Sequence, residues 1–301
     1  MRRAVAQAWL RQPERGTSWA FRAIIWVALR IGRPAARALL YPTCLYFSVF
    51  SVRSRAASRA YLARVLAWRP GFADLLRHYY TFAATVLDRV FLLAGQGREF
   101  RITIHGEPLA RALWERKQGC ILLGAHFGSF EILRAVGRQQ PGLPVYFLMF
   151  EENSRKITQA LAAINPGVAE FLIPLGQPDT MLRVRDRVHE GAWVGCLADR
   201  RVSGDKVIVA PFLGRDAPFP VGPFRLAAAL RCPVLTMFGV YRGDRCYDVH
   251  FEPLVVESEA RSSEAQIEEW IARYVARLEE HCRAAPYNWF NFYEFWSDEQ
   301  R

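Results

Sequence analysis

From residue 72 onward, short apolar runs alternate with amphipathic segments, and this alternation limits the possible folds more than any other feature of the chain. The runs CILLG, VYFLMF and WVGCL are apolar at every position, which is typical of strands buried on both faces of a sheet. The segments between them have helical periodicity and end at glycine or proline. We therefore expect an α/β fold with a mostly parallel central sheet flanked by helices.

The N-terminal part of the chain is basic and apolar at the same time. The first 69 residues hold thirteen arginines, no lysine and a single acid, Glu14, whereas the remainder is close to neutral. In WAFRAIIWVALRIGR, the charged residues Arg22, Arg30 and Arg33 fall within an arc of roughly 80° on a helix. Such a helix is suited to a membrane interface, with its arginines directed toward anionic head groups.

We therefore predict a basic, apolar, helical membrane-association segment over residues 1–70 and an α/β domain, which would carry the chemistry, over residues 71–301. The alternative for the first segment is a helical subdomain that packs on the core and exposes a solvated basic face. The sequence shows no secretory signal, and its longest charge-free run, residues 38–52, is interrupted by Pro42. A membrane span needs about 18 to 20 apolar residues, so we expect the chain to lie on a membrane without clearly crossing it.

The segment AHFGSFE, residues 125–131, directly follows the apolar run CILLG. In one continuous helix, His126 and Glu131 would lie about 140° apart, so they can meet only if His126 lies in a turn and Glu131 in the following first helical turn. Gly124 and Gly128 permit such a turn. Glu131 would then accept the proton on one imidazole nitrogen and leave the other as a base. The alternative is a structural histidine beside a helix-capping acid.

HFGSFE resembles the HX4E form of the HX4D/E motif of the lysophospholipid acyltransferase superfamily. The order of the later segments resembles the lipid A biosynthesis late acyltransferase branch, and the similarity covers most of residues 20–296. These segments are GAHFGSFE, ENSRK, LADRR, FPVGPFRLA, CPV and an aromatic C-terminal stretch. ERGTSWA and PYNWFNFYEFW look like the subgroup associated with aryl polyene pigment gene clusters.

The resemblance implies an O-acyltransferase that moves a fatty or polyene acyl chain from an acyl carrier protein or CoA thioester to a hydroxyl of a membrane lipid or glycolipid. His126 would remove the hydroxyl proton, and Glu131 would orient the imidazole and stabilise its cation. No metal or cofactor is expected beyond the acyl-thioester co-substrate. The implied partners are anionic lipids and an acidic acyl carrier protein, and the implied location is the cytoplasmic face of the bacterial inner membrane.

Further candidate substrate-binding residues follow the next two apolar runs. Asn153, Arg155 and Lys156 follow VYFLMF, and arginine is suited to bidentate binding of phosphate or carboxylate. Asp199 and Arg200 follow WVGCL, at the same edge of the predicted sheet, and the branch that the chain resembles has an aspartate at about this place. The alternatives are a solvated helix start for the first group and an ion pair that positions the loop for the second.

FPVGPF occupies the place of the FPEGTR-like phosphate-binding motif of glycerolipid acyltransferases, which weakens glycerol 3-phosphate or a lysophosphatidate as the acceptor. Gly222 and Pro223 in this segment are expected to begin a helix. The stretch YNWFNFYEFW has seven aromatic residues in ten, which suits a membrane interface and the interior of the core equally well.

Three other functions are alternatives to acyl transfer. A catalytically silent membrane-binding protein and a lipid or thioester hydrolase both remain open alternatives. Nucleic-acid binding is not expected, because the arginine-rich segment is strongly apolar and carries no reader motif. The six cysteines are dispersed without a CxxC, so we expect reduced thiols in a cytosolic environment and no structural zinc site.

Overall fold

The computed structural model describes residues 18–139, 144–150, 166–201, 204–255 and 263–296 of the chain. The helices of this part, numbered in order, are α1 (Ser18–Arg30), α2 (Arg33–Phe50), α3 (Val52–Val65), α4 (Phe72–Leu93), α5 (Glu107–Glu115), α6 (Ile132–Gln139), α7 (Thr180–His189), α8 (Gly222–Leu230) and α9 (Glu264–Ala284). The strands are β1 (Arg101–His105), β2 (Cys120–Gly124), β3 (Val145–Phe150), β4 (Leu172–Leu175), β5 (Trp193–Leu197), β6 (Val207–Phe212), β7 (Arg215–Pro220), β8 (Val234–Gly243) and β9 (Cys246–Val255).

Seven strands form the central sheet in the order β1-β9-β8-β2-β5-β3-β4. Every neighbouring pair is parallel except the β8–β9 hairpin, which is antiparallel. The apolar run CILLG forms β2 near the centre of the sheet, and each of its residues is buried. The predicted α/β fold with a mostly parallel sheet is therefore confirmed.

Most predicted elements lie where the sequence indicated, and one pair of strands was not predicted. The pair consists of β6 and β7, which form a separate two-stranded antiparallel sheet. Helix α8 begins at Gly222 with a proline in its first turn, as expected. The segment NSRKITQALAAINP, between the second and third apolar runs, has helical periodicity that predicts a helix, but it falls largely outside the described residues.

Helix α2 is held against α4 by a buried ion pair. The guanidinium of Arg33 donates to both carboxylate oxygens of Asp88 at 2.8 and 3.0 Å, and the Tyr247 hydroxyl donates to the same carboxylate at 2.9 Å. Arg33 is 5% exposed and Asp88 is fully buried. The expectation that Arg33 faces lipid head groups was wrong, because α1 ends at Arg30 and Arg33 begins the next helix.

Apart from Leu40, helix α2 buries small or polar side chains, and it exposes large apolar ones. Its buried residues are Arg33, Ala36, Leu40, Cys44 and Ser48. Its exposed large apolar residues are Leu39, Tyr41, Leu45, Tyr46, Val49 and Phe50. In a water-exposed helix, the outer face is normally polar.

Among the described helices, none is by itself long and apolar enough to cross a membrane. Helices α2 and α3 taken together have the length and apolar composition of a membrane span, but their axes are bent by 94° at the break between them. The division of the chain at residue 70 stays a prediction.

The aromatic C-terminal stretch lies in the core over its described length. Trp289, Phe290, Phe295 and Trp296 are buried, and the Trp289 ring packs edge-to-face on Tyr61 of α3 at 4.9 Å between centroids. Of the two alternatives for this stretch, the structure therefore shows burial in the core. All six cysteines fall within the described ranges, and each is a free thiol.

Candidate active site

The register of the two central strands brings two polar side chains together at the carboxyl edge of the sheet. In the β2–β5 pair, Gly124 lies opposite Leu197, and the Ala198 amide donates to the Gly124 carbonyl at 2.9 Å. His126 and Asp199 each follow these partners by two residues, so they emerge side by side. Carboxyl ends of strands are where open α/β sheets place their sites.

Asp199 holds the His126 imidazole directly. The Nδ1 nitrogen of His126 lies 2.8 Å from Oδ1 of Asp199, and the His126 amide donates to Oδ2 at 3.1 Å. The indole N–H of Trp289 donates to the same Oδ2 at 3.0 Å. The Asp199 side chain is only 1% exposed, so these donors replace the water that a carboxylate would otherwise bind.

The charges of the pair follow from its surroundings. Burial raises the pKa of Asp199, but the neighbouring His126 and Arg200 outweigh it and lower that pKa to about 2. Burial and the charge of Arg200 lower the pKa of His126, although Asp199 opposes them. At neutral pH, the pair is therefore a carboxylate and a neutral imidazole.

An ionised Asp199 can only accept, so the imidazole proton lies on Nδ1 and the lone pair on Nε2. The His126 side chain is 31% exposed, and no described residue hydrogen-bonds its Nε2. This arrangement presents a base to a molecule at the edge of the sheet.

Glu131 does not take the position at the imidazole that the sequence spacing predicted. Helix α6 begins at Ile132, so Glu131 precedes the helix and does not lie within its first turn. Its carboxylate pairs with the guanidinium of Arg89 on α4. The carboxylate that orients His126 is Asp199, and a catalytic part for Glu131 stays a prediction.

The turn that carries His126 is fixed by close backbone contacts. Gly128 has φ +55°, and a Cβ there would lie 1.9 Å from the carbonyl oxygen of Gly239 on β8. The amide of Gly128 donates to Asn288 at 2.7 Å, and that of Ser129 donates to Gly239 at 2.8 Å. Because these amides already have acceptors, the donor that stabilises a reaction oxyanion must come from another group.

The C-terminal segment closes this turn from the other side. The Phe290 amide donates to the His126 carbonyl at 2.8 Å, and the side chain of Asn288 binds the backbone of Tyr241 on β8. No local pattern indicates that Trp289 reaches Asp199, because 90 residues separate them. The only available signal was the density of aromatic residues at this end of the chain.

Arg200 lies beside the pair. Its guanidinium donates to the Phe290 carbonyl at 2.7 Å and lies over the Tyr293 ring at 5.3 Å. Contact of Arg200 with a substrate stays a prediction. The other candidate binding residues, Asn153, Arg155 and Lys156, lie outside the described residues.

Comparison with known proteins assigns the chain to a family. No curated protein matches it. The family described as bacterial lipid A biosynthesis acyltransferase matches residues 5–297, which is nearly the whole chain. That family implies acyl transfer, and it agrees with the branch that the motif order resembles. The chain therefore belongs to the bacterial lipid A biosynthesis acyltransferase family.

Proposed function

We propose that the chain transfers an acyl group from a thioester, carried by an acyl carrier protein or CoA, to a hydroxyl of a membrane lipid or glycolipid. The observation that carries the proposal is the His126–Asp199 contact, which leaves Nε2 as an available base at the edge of the sheet. Family membership supports acyl transfer as the class of reaction. The His126 imidazole, which is neutral at neutral pH, supplies a base for that reaction.

The proposed reaction needs no covalent intermediate with the protein. Nε2 of His126 takes the hydroxyl proton while the acceptor oxygen forms a bond to the thioester carbonyl carbon. The tetrahedral intermediate then breaks its C–S bond, and the imidazolium returns the proton to the leaving sulfur. Asp199 stabilises the transient imidazolium through Nδ1, and general-base catalysis of this kind accelerates a reaction by about 10²–10⁴-fold.

A membrane surface is the proposed location of the acceptor. Of the sixteen exposed large apolar residues in the described chain, thirteen lie between Trp26 and Phe82. Exposed arginines accompany them at Arg30, Arg53 and Arg59. Apolar and cationic side chains together favour binding to a bilayer with anionic lipids. We propose the cytoplasmic face of the inner membrane, where acyl carrier protein and CoA thioesters are supplied.

The test is acyl transfer by the purified full chain and its His126→Ala variant, with acyl-CoA and acyl carrier protein thioesters offered separately against a bacterial lipid extract. Thiol release measures thioester cleavage, and mass spectrometry of the lipids identifies the acylated acceptor. We expect His126→Ala to lose about 10²–10⁴-fold in rate. His189→Ala, which alters an exposed histidine on α7, is the matched control and should retain the wild-type rate.

The pH dependence follows from the same base. Since the pKa of His126 is lowered, the rate should fall on the acid side with a midpoint below the ordinary histidine value of about 6.5. Thiol release without any acylated lipid would identify a hydrolase. Equal transfer by wild type and His126→Ala would overturn the proposal.

A further inference from the structure

Asp199 receives its second side-chain hydrogen bond from Trp289, and this bond defines the direction of the carboxylate. Oδ1 faces the imidazole at 2.8 Å, whereas Oδ2 accepts from the Trp289 indole at 3.0 Å. Without the indole N–H, Oδ2 would keep only the 3.1 Å bond from the His126 amide. A carboxylate buried to 1% exposure has no water to replace a lost donor.

A buried pair on the neighbouring helices holds the Trp289 backbone. Nε2 of His78 on α4 lies 2.8 Å from the Trp289 carbonyl oxygen, and Nδ1 of His78 lies 2.7 Å from Oγ of Ser58 on α3. A carbonyl can only accept, so Nε2 carries the proton and Nδ1 accepts from the serine hydroxyl. His78 and Ser58 are fully buried, and burial lowers the pKa of His78 to about 4, which keeps the ring neutral at physiological pH.

The other side of the segment is bonded to the catalytic turn. The carbonyl of Asn288 accepts from the Gly128 amide, and the amide of Phe290 donates to the His126 carbonyl. Trp289 therefore lies between two layers, one formed by α3 and α4 and one by the turn that carries His126. Its indole packs on Tyr61, Phe212 and Phe295 at 4.9 to 5.2 Å between ring centroids.

We propose that Trp289 is a positioning residue for the His126–Asp199 pair, and that the buried Ser58–His78 pair keeps Trp289 in place. The indole N–H stabilises the charge of Asp199 and directs its other oxygen to Nδ1 of His126. A small misplacement of a catalytic group costs much of the rate, so a residue that touches no substrate can still control turnover. The effect on rate rests on the proposed function, whereas the effect on the His126 pKa does not.

Trp289→Phe removes the N–H and keeps most of the ring. With one donor lost, Asp199 becomes more basic and holds the imidazole proton more strongly, so the pKa of His126 should rise by about one unit. The acid limb of kcat/KM should move to higher pH by the same amount, and kcat should fall about tenfold with little change in KM. Histidine NMR titration of the full chain measures the pKa, with His126→Gln used to assign the signal.

Two variants separate positioning from packing. Phe295→Leu loosens the packing around the same indole but leaves its N–H, and Trp193→Phe removes a buried indole N–H that donates to the Gln118 carbonyl at the far end of β5. Both variants should lower the melting temperature. Both should leave the pKa of His126 within about 0.3 units of the wild-type value, a difference smaller than the ordinary spread of histidine pKa values between environments.

An unchanged pKa in Trp289→Phe, or an equal rise in Phe295→Leu, overturns the inference. If Trp289→Phe does not fold, Ser58→Ala takes its place and must raise the His126 pKa in the same direction; an unchanged value overturns the inference. A wild-type chain that transfers no acyl group from either thioester refutes the proposed function alone. In that case, the titration still decides the positioning role.

Discussion

At the scale of single residues, the site is built around one buried carboxylate. Asp199 is almost completely removed from water, yet its pKa is lowered to about 2, because His126, Arg200 and Trp289 compensate for its burial. An acid that stays ionised inside a protein exerts a stronger electrostatic effect on its neighbour than an exposed one would. In the proposed reaction, the imidazolium formed by proton transfer would therefore be stabilised where it arises.

Asp199→Asn and Glu131→Gln should have different effects on the imidazole. Asp199 raises the pKa of His126 through its charge and its hydrogen bond, so its neutralisation should lower that pKa further. Glu131 pairs with Arg89, so Glu131→Gln should leave the His126 pKa near its wild-type value. We expect Asp199→Asn to lose at least about 100-fold in kcat, since the transient imidazolium loses its counter-charge. Histidine NMR titration and steady-state kinetics measure the two effects.

A shift of the His126 pKa in Glu131→Gln that equals the one in Asp199→Asn would contradict this division of roles. It would return Glu131 to the position at the imidazole that the sequence spacing predicted. Loss of activity in Glu131→Gln with an unchanged His126 pKa would instead indicate that Glu131 acts through the loop or the substrate.

Helix α2 is attached to α4 by the buried Arg33–Asp88 ion pair. Removing only one of the two charges should destabilise the fold, because the other charge stays buried without its partner. Arg33→Met leaves the Asp88 carboxylate buried, with the Tyr247 hydroxyl as its remaining donor in the described part of the chain. Burial raises the pKa of Asp88. The cost of the variant in the free energy of unfolding should therefore be smallest below the ordinary aspartate pKa of about 3.9, where the loss of the Arg33–Asp244 hydrogen bond remains, and should grow to about 3–5 kcal/mol as the pH rises above it.

The double variant Arg33→Met/Asp88→Leu is the control for this pair. It removes both charges of the buried pair and replaces them with apolar side chains, so its destabilisation should be smaller than the sum of the two single changes. Urea unfolding of wild type, Arg33→Met, Asp88→Leu and the double variant, from about pH 3 to about pH 8, gives the coupling free energy and its pH dependence. Additive single effects would show that the ion pair does not link α2 to α4.

Local patterns were sufficient for the uninterrupted apolar strands and insufficient for the hairpin of β6 and β7. β2, β3 and β5 are apolar runs of five or six residues, a pattern that is typical of strands buried on both faces of a sheet. The hairpin of β6 and β7 was not predicted, because both strands contain proline, which argues against a strand in a sequence.

The site divides in the same way between local and distant contacts. His126 was identified from its position after a buried strand, a feature within a few residues of it. The contact with Asp199 spans 73 residues and depends on the β2–β5 register, and that with Trp289 depends on how the C-terminal segment folds back. Spacing therefore pointed to Glu131, the acid nearest in sequence, although the fold places another acid at the ring.

The exposed apolar surface of the molecule is concentrated in helices α1 to α4, which precede the sheet in the chain. α2 alone contributes Leu39, Leu45, Tyr46, Val49 and Phe50, on the side opposite its buried residues. Covering these side chains with lipid removes apolar area from water and stabilises the bound state by about 25 cal/mol per Å². Trp289 contacts α3 and α4 on one side and Asp199 on the other.

Binding to vesicles tests the role of this surface. Wild type should float with vesicles that contain phosphatidylglycerol and less with neutral ones, and added salt should weaken the binding because exposed arginines contribute to it. Tyr46→Ser/Phe50→Ser removes two aromatic residues that are 50% and 58% exposed, and we expect it to bind at least about tenfold more weakly. Met181→Ser/Leu182→Ser removes two residues of α7 with 49% and 52% exposure, and it should bind like wild type. Equal losses in both double variants would show that bilayer contact does not depend on α2, and the lipid acceptor would then have to reach His126 by another face of the molecule.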